Sequence, residues 1–181
     1  MAELQPIYKD LPTPRSIRLL TFSPRAQPDD PISVQLETFD LDSESRPRYW
    51  ALSYTWGNPL PSHSPHALQA IQKEILCNRR PFLVSENLYH FMKRFGRKGY
   101  FWIDAICINQ EDIPERNAQV PIMVWIYTKA GGTFIWLGEQ DEAARRSHKL
   151  IIKFVEAMNR LGADYKNVFN RIWEFNEVAF F

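Results

Sequence analysis

Tyr100-Phe101-Trp102-Ile103-Asp104-Ala105-Ile106 is a nearly all-apolar run. Such a run reads as a strand buried on both faces, the kind found inside a parallel sheet. What flanks it supports that reading. Upstream, Ser85 is a suitable N-cap for a helix reaching Phe95, with Leu88, Phe91, Met92 and Phe95 on one stripe and Gly96 as the stop. Downstream, Asp112-Ile113-Pro114-Glu115 has the D-x-x-E form of a capping box with proline in the first turn. The helix it opens places Val120, Met123, Val124 and Tyr127 on one expected face. Pro121 falls inside it, which predicts a kink or a late start. Gly131-Gly132 closes it, and residues 133–137 (TFIWL) read as a second buried strand.

Working outward, residues 49–55 (YWALSYT) form a strand candidate that runs into the turn Trp56-Gly57-Asn58-Pro59. Residues 60–70 read as a loop. Glu74 to Cys77 and Phe82 to Val84 flank Asn78-Arg79-Arg80-Pro81 as a small hairpin. Residues 16–22 (SIRLLTF) and 32–39 (ISVQLETF) read as another hairpin across the proline-rich stretch 23–31, and a polar linker follows at 40–48. Residues 141–161 predict a long helix striped by Ile151, Phe154, Val155, Met158 and Leu161. The tail 170–181 predicts a helical turn or more. Strands alternating with amphipathic helices imply a parallel sheet with right-handed crossovers. The expected fold is therefore α/β: a three-layer parallel sheet flanked by helices, with an N-terminal β-hairpin annex over residues 1–48 and the main domain over 49–181. Ligands in such sheets bind at the carboxyl ends of strands. That puts the site edge at residues 54–57 and 106–110.

Composition narrows the functional classes. The 181 residues suit one domain with a sizeable core. Aromatics at 14%, including six Trp, call for a thick core or an apolar partner surface. Lys+Arg at 22 nearly balances Asp+Glu at 21, and no basic run appears, so nucleic acid is not an expected partner. Cys77 and Cys107 make no disulfide framework and read as reduced thiols. The polar N-terminus lacks a signal-peptide core, and no stretch approaches the roughly 20 apolar residues of a membrane helix. A cytoplasmic location is the expectation. The apolar end, Val178-Ala179-Phe180-Phe181, suggests a domain cut short.

Several strings together resemble one family. Tyr49-x-Ala51-Leu52-Ser53-Tyr54-x-Trp56-Gly57 resembles the signature that opens fungal heterokaryon-incompatibility (HET) domains. Residues 102–110 (WIDAICINQ) resemble the second block, Glu115-Arg116 with Gln119-Val120 the helix after it, and Trp136-Leu137-Gly138 the third. Ile17-Arg18-Leu19-Leu20 is similar to the family's N-terminal strand, and Arg171-x-Trp173-x-x-Asn176-Glu177 to its R-x-W-x-x-Q-E. Departures are Asn176 in place of Gln, Arg79-Arg80 where glycine is common, and Pro121.

The resemblance implies a cell-death effector in fungal non-self recognition. It also implies similarity to TIR domains, hence a TIR-like (flavodoxin-like) fold and NAD glycohydrolysis, with NAD as substrate and no cofactor. The Trp173 to Glu177 spacing resembles the TIR catalytic pattern and assigns the catalytic carboxylate to Glu177. Ser53, Tyr54, Trp56, Asp104, Asn109, Gln110 and Arg116 would line the NAD pocket. Plainer roles stand beside these: Asp104 as a loop-organising cap, Ser53 as a strand-end hydrogen bond, Arg116 as a partner of Asp112, and Trp50, Trp102 and Trp136 as core. The expected partners are further copies of the chain, or other HET- or NLR-type signalling proteins. The alternative function is a non-catalytic self-association or adaptor domain. No metal site is expected, because His63-x-x-His66 lacks two further ligands. The chain has no glycine-rich phosphate loop.

Overall fold

The computed structural model describes residues 6–27, 29–56, 71–96, 98–136 and 138. The expected loop at 60–70, the expected helix at 141–161, the expected helical turn at 170–181 and Glu177 lie outside the described residues. Among those described, seven strands form one mixed sheet: β1 Ser16–Phe22, β2 Ser33–Asp40, β3 Tyr49–Tyr54, β4 Gln72–Cys77, β5 Arg80–Ser85, β6 Tyr100–Trp102 and β7 Gly132–Trp136. Their order is β5-β4-β2-β1-β6-β3-β7.

The expected parallel sheet is realised in one half. β6, β3 and β7 run parallel, with Tyr49 opposite Tyr100 and Trp50 opposite Gly132. β2 and β4 are also parallel, while β1–β2, β1–β6 and β4–β5 are antiparallel. The sheet is therefore mixed. The N-terminal hairpin forms, in register from Ser16 opposite Asp40 to Phe22 opposite Val34. It is not an annex, because β1 lies in mid-sheet between β2 and β6. The physical reason is visible in β1, where Ile17, Leu19 and Leu20 are all fully buried. Side chains of both parities must be covered, which a peripheral hairpin cannot do.

Helices cover both faces of the parallel half. α1, Glu86–Phe95, is capped by Ser85, whose side chain accepts from Leu88 N. It buries Leu88, Phe91 and Met92, and Phe91 and Phe95 pack on Phe134 and Trp136. Phe101 of β6 joins this face against Phe134. The next residue, Trp102, points to the opposite face and meets Tyr127 edge-on. Tyr127 belongs to α4, Met123–Lys129, which follows α3, Ile113–Gln119, through a 3-10 turn at Val120–Ile122. The turn holds Pro121, so the predicted kink is present. The kink also re-aims the helix. Val120 and Val124 of the expected inner stripe are exposed, whereas Gln119 and Ile126 are buried.

The run that opens at Tyr100 is strand only as far as Trp102. Asp104–Cys107 forms one helical turn, α2, in which the Ile103 carbonyl accepts from both Ile106 N and Cys107 N. A short apolar run buries its side chains equally well either way, so its pattern cannot choose between strand and helix. Trp102 and Trp136 are core as expected, whereas Trp50 is 39% exposed. Trp50 packs against Gly132, where an added Cβ would clash with its ring.

The β4–β5 turn is two residues long, with Asn78 at φ 50 and Arg79 at φ 66. Positive φ at both positions is the hairpin geometry that favours Asn-Gly. Asn78 offsets its strain with side-chain bonds to Leu36 N and Ile7 O. Arg79 carries a Cβ in a left-handed conformation, at a cost of about 1 kcal/mol. Arg79→Gly is expected to raise unfolding stability by up to about 1 kcal/mol. Urea denaturation checks this, and a loss of stability would contradict the turn assignment.

Candidate functional site

The site residues gather where β3 and β6 end. Tyr54 closes β3, and Trp56, two places on, stacks against it with ring centroids 6.3 Å apart and planes 16° apart. Beyond β6, the Asp104 carboxylate takes two donors: Ala105 N at 2.7 Å and Trp56 Nε1 at 3.1 Å. Asp104 thus joins the two strand ends, combining its capping role with a contact to the aromatic pair. Trp56 remains 52% exposed.

The loop after Asp104 is closed by its own side chains. Gln110 Nε2 donates to the Asp104 carbonyl at 2.9 Å. Asn109 Oδ1 accepts from Glu111 N at 3.3 Å, and Arg116 Nη1 donates to the Gln110 carbonyl at 3.2 Å. These three build the loop that presents Asp104. The expected pairing of Arg116 with Asp112 is replaced, because the Asp112 carboxylate caps α3 by accepting from Glu115 N at 3.0 Å. Ser53 is exposed, opposite Ile135 in the ladder, and alternation turns its side chain to the other face from Tyr54. Of the expected pocket residues, Tyr54, Trp56 and Asp104 come together, with Gln110 on the Asp104 main chain.

Sequence reading missed the pair beneath this loop. Arg18 and Glu115 form a bidentate ion pair, Nη1 to Oε1 at 2.6 Å and Nη2 to Oε2 at 2.9 Å, with the Arg18 side chain only 2% exposed. Arg18 also donates to the carbonyls of Cys107 and Lys9, and its guanidinium lies over the Tyr8 ring. Glu115 Oε1 accepts from Asn109 N at 2.7 Å. The capping box is therefore half used: Asp112 caps, while Glu115 turns inward to the arginine. The available signal was a charge inside Ile17-Arg18-Leu19-Leu20, since a cation on a buried strand requires a partner. A cavity of about 510 Å³ beside Arg18, lined by Ile7, Lys9, Leu36, Thr38 and Asn78, lies apart from the Tyr54–Trp56–Asp104 cluster.

Electrostatics follow burial. Desolvation raises the Asp104 carboxyl above its ordinary 3.8, against the lowering effect of the Ala105 and Trp56 hydrogen bonds. Burial and then the nearby Asp104 push the Tyr127 phenol up to about 12 and raise Tyr54 as well. Both phenols therefore stay protonated near neutrality and can donate. Cys107, buried and pushed up to about 12 by desolvation, is a poor nucleophile. No group of three or more potential metal ligands occurs among the described residues. None of the described helices is long and apolar enough to cross a membrane.

The sequence model of the family described as heterokaryon incompatibility protein (HET) matches residues 49–177. A Neurospora crassa protein named heterokaryon incompatibility protein 6, OR allele, is 29% identical over 136 residues, covering 72% of this chain. The chain spans 20% of that relative's length. No solved structure matches.

A group whose folded pKa is raised stabilises fully below its unfolded value, and that contribution is lost as pH rises through the folded value. The stability of wild type relative to Asp104→Asn should therefore fall as pH climbs from below 3.8 towards neutrality. Urea unfolding at several pH values measures it. A flat difference, or one rising with pH, would contradict the buried placement of this carboxylate.

Proposed function

Because the chain belongs to the heterokaryon incompatibility (HET) family, we propose that it is a cell-death effector domain of fungal non-self recognition that acts by hydrolysing NAD. One observation carries the chemistry: a stacked Tyr54–Trp56 pair held to Asp104 at the carboxyl ends of parallel strands β3 and β6. That is where α/β sheets bind ligands, and the half-exposed indole suits a planar ring of a dinucleotide. The parallel half, with helices on both faces, is the part of the sheet a TIR-like reading uses. In the reaction, the bond between ribose C1′ and the nicotinamide nitrogen breaks and water adds at C1′. Charge develops on the ribose as an oxocarbenium ion, which a carboxylate stabilises. Glu177, the last residue of the family match, is the proposed carboxylate. Asp104 is assigned to positioning. Action in the cytoplasm, with assembly of several copies as the switch, belongs to the same reading.

A second reading, a self-association or adaptor domain, is favoured by one observation. Ile113, Val120, Val124 and Trp125 are all more than half exposed along α3, the 3-10 turn and α4.

NAD consumption by purified protein tests the choice, with wild type beside Glu177→Gln and Trp56→Ala over a range of protein concentration. Wild type should release nicotinamide. Glu177→Gln should lose about 100-fold or more of that rate, and Trp56→Ala should mainly raise KM. No turnover at any concentration would sink the hydrolase reading and leave the adaptor.

A further inference from the structure

The first turn of α1 reaches across to the end of β3. Asn87 Nδ2 donates to the Thr55 carbonyl at 3.0 Å and to its hydroxyl oxygen at 2.9 Å. Asn87 Oδ1 accepts from Trp136 Nε1 at 2.8 Å, and the Asn87 carbonyl accepts from the same indole at 3.0 Å. One residue therefore binds two neighbouring strands: β7 through its last residue, and β3 through the residue that follows it.

The place of Thr55 gives these bonds their meaning. It is the single residue between Tyr54 and Trp56, and the β3–β7 ladder ends one step earlier, at Tyr54 opposite Trp136. Past that point the direction of the chain depends on side-chain contacts. Fixing the Thr55 carbonyl fixes the plane of the Thr55–Trp56 peptide, and so the direction from which the Trp56 side chain sets out. Trp56 is then held at its edge by Asp104 and on one face by Tyr54.

We propose that Asn87 is a positioning residue of the site. It sets the Thr55–Trp56 peptide so that the indole stands against Asp104 and offers its remaining face to a planar π ring of the substrate. A simple tether between helix and sheet would need only the Trp136 bonds. The two Thr55 bonds add nothing to the ladder and act only on the residue that links Tyr54 to Trp56. The inference rests on taking Trp56 and Asp104 as the site, but its first test requires no substrate.

That test follows the Trp56 indole N–H by NMR in the ¹⁵N-labelled 181-residue chain, assigned through Trp56→Phe. In wild type the resonance should shift as Asp104 titrates, and Asp104→Asn should abolish the shift. Asn87→Asp keeps the acceptor for Trp136 but sets a carboxylate oxygen against the Thr55 carbonyl, so the shift should be lost. Trp136→Phe, which removes the other half of the Asn87 contacts, should leave it intact. If Asn87→Asp fails to fold, Thr55→Val removes only the 2.9 Å bond and should reduce the shift. A shift unchanged in Asn87→Asp, or unchanged in Thr55→Val where that variant stands in, or lost equally in Trp136→Phe, would overturn the proposal. With NAD, Asn87→Asp should raise KM about tenfold and leave kcat within about twofold. Shift results as described, together with a wild type inert towards NAD, would uphold the positioning role and refute the hydrolase reading.

Discussion

The buried pair of Arg18 and Glu115 is the constraint on which the rest of the site depends. A guanidinium and a carboxylate removed from water cost several kcal/mol each unless geometry and further hydrogen bonds compensate. Here the pair is bidentate, and Arg18 takes two main-chain carbonyls besides. Those bonds reach the N-terminal segment at Lys9, the end of α2 at Cys107 and the first turn of α3 at Glu115. Tyr8, under the guanidinium, donates its hydroxyl to the Ile106 carbonyl. The loop after β6 thus has its Ile106 and Cys107 carbonyls and its Asn109 amide tied to one charged cluster. A loop fastened in this way can present Asp104 at a fixed place.

Two tethers then meet at the aromatic pair. From below, the charged cluster holds the loop that carries Asp104. From the side, the first turn of α1 holds Thr55, between the two rings. Trp56 lies between them, half exposed, its indole N–H turned towards Asp104. Each tether joins elements far apart in sequence, Arg18 to Glu115 and Thr55 to Asn87. The site therefore exists only once the sheet has formed around β1.

Much of this was legible from local pattern. β1 falls on its expected residues, and Ser85, Asp112 and Pro121 do what their chemistry dictates. The gathering of residues near 54–56 and 104–110 follows from the rule that parallel sheets bind ligands at strand ends. What was not legible was non-local. Strand order depends on which edges find partners, and the alternation in residues 32–39 looks peripheral when read alone. The turn at Asp104 was hidden because an apolar run is consistent with either element. Arg18 and Glu115, 97 positions apart, announce each other only once β1 is placed in mid-sheet. Asn87 carries no local signal, because nothing near it in sequence shows what its amide reaches.

The measurement that bears most directly on this account is a double-mutant cycle on the buried pair. Arg18→Met, Glu115→Gln and the double variant would be compared by urea unfolding. Each single change is expected to cost about 3–5 kcal/mol, because a charge is left buried alone. The double variant should cost less than the sum by about 2 kcal/mol or more. Additivity within about 0.5 kcal/mol would contradict it. The pair would then be incidental, and the loop bearing Asp104 would be held by something else.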